Sequence, residues 1–135
     1  MSPTHYTRIT LAERPTGAIL PTTFKRERVP FDLQPGPKQI LVKLHYVSLD
    51  PAMRGWLRDT RSYLPPVQIG EVMRAQALAE VVEAGPGSRF KKGDVVDGTF
   101  GTLRTSPRGT DLGFTCVIGW TEYGVFDDKR ATKVE

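Results

Sequence analysis

Proline and glycine interrupt this chain so often that many short strands are favoured over a helical bundle. Pro15-Thr16-Gly17, Pro30, Gln34-Pro35-Gly36-Pro37, Pro51, Tyr63-Leu64-Pro65-Pro66, Gly85-Pro86-Gly87 and Lys92-Gly93-Asp94 cut it into brief segments. The two residue types fill 24 of 135 positions, 13 Gly and 11 Pro, against a usual total of about 12%. With 39% apolar residues the chain still carries enough hydrophobic surface to fold. Its length suits one domain, near the commonest size of roughly 100–150 residues, and leaves no room for a full nucleotide-binding domain beside the first.

Between the breaks the pattern is that of strands. Gln39 to Ser48 alternates best, with Ile40, Val42, Leu44 and Tyr46 on one face and Lys43 and His45 on the other. Thr7–Glu13, Phe24–Val29, Val95–Phe100, Trp120–Phe126 and Thr132–Glu135 are shorter strand candidates. Ala75–Val82 fits helix or strand by periodicity, and the glycines that bound it favour a strand. Asp50-Pro51 predicts the start of a short helix over Ala52–Leu57, with the Asp50 side chain capping free backbone N–H groups and Pro51 in the first turn. The expected fold is mainly β, a small barrel of six or seven strands with one or two short helices.

The formal charge of +4 is spread over mixed groups such as Lys25-Arg26-Glu27-Arg28 and Arg89-Phe90-Lys91-Lys92. No like-charge run is interleaved with aromatics, so a solvated, mildly basic surface is expected and not a nucleic-acid partner. The lone Cys116 supports neither an internal disulfide nor a cysteine-rich zinc site. His5 and His45 stand far apart, so no metal site is expected. The first 20 residues lack an apolar signal core, and no run of about 20 apolar residues would span a membrane, so a cytoplasmic setting is expected. Gly-x-Ser-x-Gly and the Walker A run are absent, and Gly85-Pro86-Gly87 leads into a turn instead of a helix, unlike a pyrophosphate cradle. The residues alone point to no self-contained catalytic constellation.

One set of motifs goes further. Val47-Ser48-Leu49-Asp50-Pro51-Ala52-Met53-Arg54-Gly55-Trp56 is followed by Ser62-Tyr63-Leu64-Pro65-Pro66-Val67 and Ile69-Gly70-Glu71-Val72-Met73-Arg74. Phe90-Lys91-Lys92-Gly93-Asp94-Val95-Val96 and Gly119-Trp120-Thr121-Glu122-Tyr123-Gly124-Val125 continue the series in order. Together they resemble the N-terminal domain of the zinc-independent, NADP-dependent double-bond reductases of the medium-chain dehydrogenase/reductase superfamily, the branch of the prostaglandin reductases and leukotriene B4 dehydrogenases.

The resemblance implies a GroES-like, partly open β-barrel over residues 1–135, with the Rossmann domain of that architecture absent. It implies an oxidoreductase that uses NADPH to deliver hydride to the β-carbon of an α,β-unsaturated ketone or aldehyde, a small-molecule enone or alkenal. Met53, Arg54 and Tyr63 are then expected to touch substrate, and Glu71 and Met73 to lie on the cofactor side of the cleft. Plainer roles stay open. The methionines can be core filler, Arg54 can pair with Asp50 four residues earlier, and Tyr63 can be loop packing. No residue is assigned a catalytic role. Zinc-dependent relatives carry a Cys after this strand, where this chain has Leu49-Asp50-Pro51, and a Gly-His-Glu where it has Ile69-Gly70-Glu71. Many relatives carry Tyr where this chain has Ala52, which implies a roomier pocket.

Two departures qualify the picture. Relatives run from Gly-Thr-Phe-Gly directly into Trp-x-Glu-Tyr, whereas here the 18 residues 102–119 intervene, with a different texture. They read as a foreign insertion, either a translated intron or an extended surface hairpin. The chain also carries no phosphate-binding turn, so negligible NADPH affinity and no activity are expected of it alone. The alternative is a non-catalytic GroES-like module, or a truncated gene product, that binds a partner. Substrate identity and oligomeric state are not legible.

Overall fold

The structure, a computed structural model, describes residues 3–60, 66–99 and 119–135. Strands dominate, as the spacing of turn residues predicts. They are β1 (His5–Leu11), β2 (Phe24–Pro30), β3 (Gln39–Val47), β4 (Gln76–Ala84), β5 (Val95–Thr99), β6 (Tyr123–Asp127) and β7 (Ala131–Lys133). A single helical turn, α1 (Ala52–Gly55), follows β3, and Asp128–Arg130 forms a 3₁₀ turn before β7.

All the pairings are antiparallel. β1 pairs with β2, and a five-stranded sheet runs in the order β6-β3-β4-β5-β7. The free edge of β1 is not idle. Ile9 N–H donates to the Trp120 carbonyl at 2.7 Å, Leu11 N–H to Glu71 at 2.9 Å, and Met73 N–H to the Ile9 carbonyl at 3.1 Å. Single bridges Arg8–Thr121 and Thr10–Val72 mark the same seam. Two irregular segments thus stitch β1 to the larger sheet, and the sheets curve toward a barrel without closing into one.

Two cores result. One lies within the five-stranded sheet around Ile40, Val42, Val81, Val96 and Phe126. The other packs Leu11 of β1 against Met53, Leu57, Val67 and Met73. Each fully buried side chain of this size contributes roughly 1.5–3 kcal/mol. Arg89 braces the first core from outside. Its guanidinium donates to the carbonyls of Asp128 at 2.8 Å and Ala131 at 2.6 Å, and lies 4.7 Å from the Phe90 ring centre.

Three expectations need correction. Tyr46 does not share the buried face of Ile40 and Val42 but is 73% exposed. The register of β3 against β4 shifts between Leu41 and Val42 and again between Leu44 and Tyr46, and each irregularity re-aims the side chains that follow it. β6 also stops covering β3 at Lys43. The helix is shorter than Ala52–Leu57, and Asp50 does not cap it. Pro51 occupies the cap position with no side-chain cap bond, while the Asp50 carboxylate accepts the Ser48 hydroxyl at 2.6 Å. Of the segment 102–119 read as an insertion, only Gly119 falls among the described residues.

Candidate active site

The turn from β3 into α1 builds one side of a groove. Ser48 N–H is tied to the Gln76 carbonyl at 2.7 Å, which fixes where β3 leaves the sheet. Met53 N–H then donates to the Asp50 carbonyl at 3.0 Å, and the Asp50 N–H points at the Met53 sulfur at 3.2 Å. Met53 is therefore held at both its backbone and its thioether, with only 6% of its surface exposed.

The opposite side comes from segments distant in sequence. Met73, 1% exposed, is carried beside β1 by its bond to Ile9. Trp120 N–H donates to the Met73 carbonyl at 2.9 Å, and its ring meets Phe24 of β2 at 4.9 Å between centroids. The result is a largely apolar groove of about 380 Å³ walled by Phe24, Leu49, Met53, Met73 and Trp120, with Asp50 and Arg54 as its charged members. Asp50 is occupied by Ser48, and the Arg54 guanidinium donates to the Gly17 carbonyl. Two polarisable thioethers and an indole suit a flat apolar ligand.

The structure thus brings Met53, Arg54 and Met73 together and separates Glu71 from them. Glu71 lines a second cavity of about 510 Å³ with Tyr6, Arg8 and Tyr123. Its carboxylate accepts the Gln68 N–H at 3.1 Å. Burial pushes the Tyr6 phenol above its usual range, against the pull of Arg8. Arg74 is only 6% exposed, and burial holds its guanidinium below the ordinary arginine value while the Glu71 charge pulls it back. Tyr63 lies outside the described residues. Arg54 does not pair with Asp50.

Sequence reasoning did not single out Ile19, Phe24, Leu49 or Trp120 as groove residues. The available signal was an apolar Leu49 between a strand and Asp-Pro, where a solvent-exposed turn would normally be polar.

Among the described residues no group of three His, Cys, Asp or Glu could hold a metal ion, and His45 instead meets Glu80 at 3.2 Å. They do not suit a dinucleotide's phosphates either. The glycines with positive φ, Gly70, Gly87 and Gly93, lie in turns between extended segments and not ahead of a helix.

A family model described as the N-terminal domain of oxidoreductase matches residues 7–110. A Bacillus subtilis protein named as an NADP-dependent oxidoreductase, YfmJ, is 43% identical over 130 residues, covering 95% of this chain and 32% of that protein. The NADPH-dependent curcumin reductase of Escherichia coli is 43% identical over 94 residues, covering 70% of this chain and 27% of the reductase. In structure the chain is similar to CurA from Vibrio vulnificus, with a TM-score of 0.74 at 29% identity over 95% of this chain and 32% of CurA. The chain therefore spans about a third of the length of these relatives.

Proposed function

The chain belongs to the N-terminal domain family of oxidoreductases, within the medium-chain dehydrogenase/reductase superfamily, and from that premise we propose that it forms the substrate-side wall of a zinc-independent, cytoplasmic double-bond reductase. The reaction class that goes with this reading is reduction of an α,β-unsaturated ketone or aldehyde, for which NADPH supplies the hydride. The observation that carries it is the groove itself. Met53 and Met73 stand on separate elements, one after β3 and one beside β1, yet they line one slot with Trp120.

In this reading the groove binds and orients the apolar part of the enone and keeps water from it. The thioether of Met53 is held by the Asp50 N–H, so the wall that the substrate meets is fixed before binding. The described residues offer the dinucleotide's phosphates no donor set, so cofactor binding falls to whatever accompanies this domain in a reductase of the relatives' length.

The test is a pair of titrations on the 135-residue chain. Benzalacetone is expected to quench tryptophan fluorescence saturably, and NADPH to give no saturable heat in calorimetry. Absence of enone binding would refute the substrate-side reading, and tight NADPH binding would refute the division of labour. A second reading, a module that docks a partner without catalysis, draws on the exposure of Tyr46 and Leu49, 73% and 74%. It predicts that the chain shows no saturable enone binding.

A further inference from the structure

The connection from β1 to β2, residues 12–23, is pinned to the α1 region at two points. Arg14, on the connection, donates from Nη1 to the Leu57 carbonyl at 2.8 Å. Arg54, on α1, donates from Nη2 to the Gly17 carbonyl. Each arginine thus bonds the backbone of the element facing it, and neither forms an ion pair within the described residues.

The base of the connection is equally fixed. Thr23 is 1% exposed, its hydroxyl accepts the Leu20 N–H at 3.0 Å, and its carbonyl accepts the Ala12 N–H at 2.8 Å. Between these anchors stand two apolar side chains in solvent, Ile19 at 45% and Leu20 at 56% exposure. Ile19 lines the groove together with Met53 and Met73. Ile19 therefore presents an apolar side chain both to solvent and to the groove.

We propose that residues 12–23 form a strap that sets which substrates the groove admits, with Ile19 as the size-limiting wall and Arg54 as a positioning residue acting through Gly17. This rests on the reading of the groove as an enone site. Arg54 is then not a contact for the substrate carbonyl. Its side chain fixes the height of the strap, and the strap fixes how bulky an apolar substituent fits between Ile19 and Met53. A difference of one methylene in an apolar pocket changes selectivity about 10- to 200-fold. Loss of most of the Ile19 side chain is therefore expected to move selectivity by at least about tenfold.

Two measurements on the 135-residue chain test this. The first needs no ligand. Thermolysin, which cuts before aliphatic residues, is expected to cleave Arg54→Ala several-fold faster than wild type at Ile19 and Leu20, with Arg54→Lys in between. The second compares benzalacetone with the smaller mesityl oxide by tryptophan fluorescence. Ile19→Ala and Arg54→Ala are both expected to shift the affinity ratio toward benzalacetone, and the double variant to shift it little beyond Ile19→Ala. Ile19 is half exposed, so its replacement leaves the fold in place. Equal weakening of both ketones by Arg54→Ala, with unchanged cleavage, would overturn the proposal and make Arg54 a direct contact. Failure of the wild type to bind either ketone would refute the enone reading. The cleavage rates would then decide the strap, and unchanged cleavage in Arg54→Ala would overturn it.

Discussion

Replacing Gly119 with alanine tests the seam on which the groove depends. A Cβ at this position would lie 2.1 Å from the Met73 carbonyl oxygen, 3.1 Å from its carbon and 3.3 Å from Val72 Cγ1. The clash is with backbone, which has no rotamer to retreat into, so Met73 must move by roughly 1.3 Å or more to reach ordinary contact. That displacement stretches the 2.9 Å bond from Trp120 N–H to the Met73 carbonyl beyond useful length. A lost hydrogen bond with a buried group left unsatisfied costs about 1–3 kcal/mol, and forced repacking about 1–3 kcal/mol more. Gly119 does not have a positive φ, so alanine recovers about 0.4–1 kcal/mol by restricting the unfolded chain. The net is a loss of about 1–5 kcal/mol, with a middle value of about 3, from a domain whose total is of order 5–15 kcal/mol. For a chain of this size that corresponds to a fall in Tm of roughly 10 °C. Urea unfolding followed by tryptophan fluorescence, with Gly55→Ala as the control because nothing lies within 4 Å of its Cβ, measures the difference. A Gly119→Ala midpoint matching the control would refute the claim that these two backbones touch.

Three further outcomes follow from the same structure. Gly85→Ala would place a Cβ 1.9 Å from the Gly36 carbonyl oxygen, and a loss of about 2–4 kcal/mol is expected in the same urea assay. Phe126→Ala, at a side chain 1% exposed in the larger core, is expected to cost about 3–5 kcal/mol, read by calorimetric Tm. The Asp94 carboxyl is held below its usual value, chiefly by the Lys91 N–H and also by Lys133. A depressed carboxylate stabilises the fold above its unfolded pKa and loses that effect as pH falls through the folded one. Asp94→Asn is thus expected to lower the urea midpoint at neutral pH, and to converge on wild type once pH falls below the depressed folded value.

Much of the fold was legible because its information is local. The breaks at Pro35-Gly36-Pro37, Gly85-Pro86-Gly87 and Gly93 stand where strands end, and Ile40 and Val42 are buried as their strand pattern predicts, although Leu41 between them is buried too. The fate of Tyr46 was not legible, since a bulge depends on how β4 aligns with β3 and leaves no mark in the residues of β3 alone. Asp50 misled for a related reason. Its carboxylate had two local suitors, the helix N–H groups and the Ser48 hydroxyl, and composition does not say which geometry wins. The groove was legible only in part. Met53 and Met73 stand in motifs shared with known reductases, but Ile19, Phe24 and Trp120 reach it through β1–β2 pairing and the 2.7 Å bond from Ile9 to Trp120. Arg54 was visible as a charged groove residue, yet its partner Gly17, 37 positions earlier, was not.

The stitching of β1 along its second edge also dictates the order of events during synthesis. Thr7 is bonded to Glu122, 115 residues later. At a translation rate of about 5–20 residues per second, the first strand must wait on the order of 6 to 23 seconds for that partner to emerge. During this interval β1 and β2 can form a hairpin, but an isolated hairpin is marginal in water. The apolar side chains of Tyr6, Ile9 and Leu11 therefore spend the interval without their far cover, and the groove is among the last parts of the domain to take shape. A nascent chain of this kind invites chaperone contact at its very first strand, long before the residues that complete that strand exist.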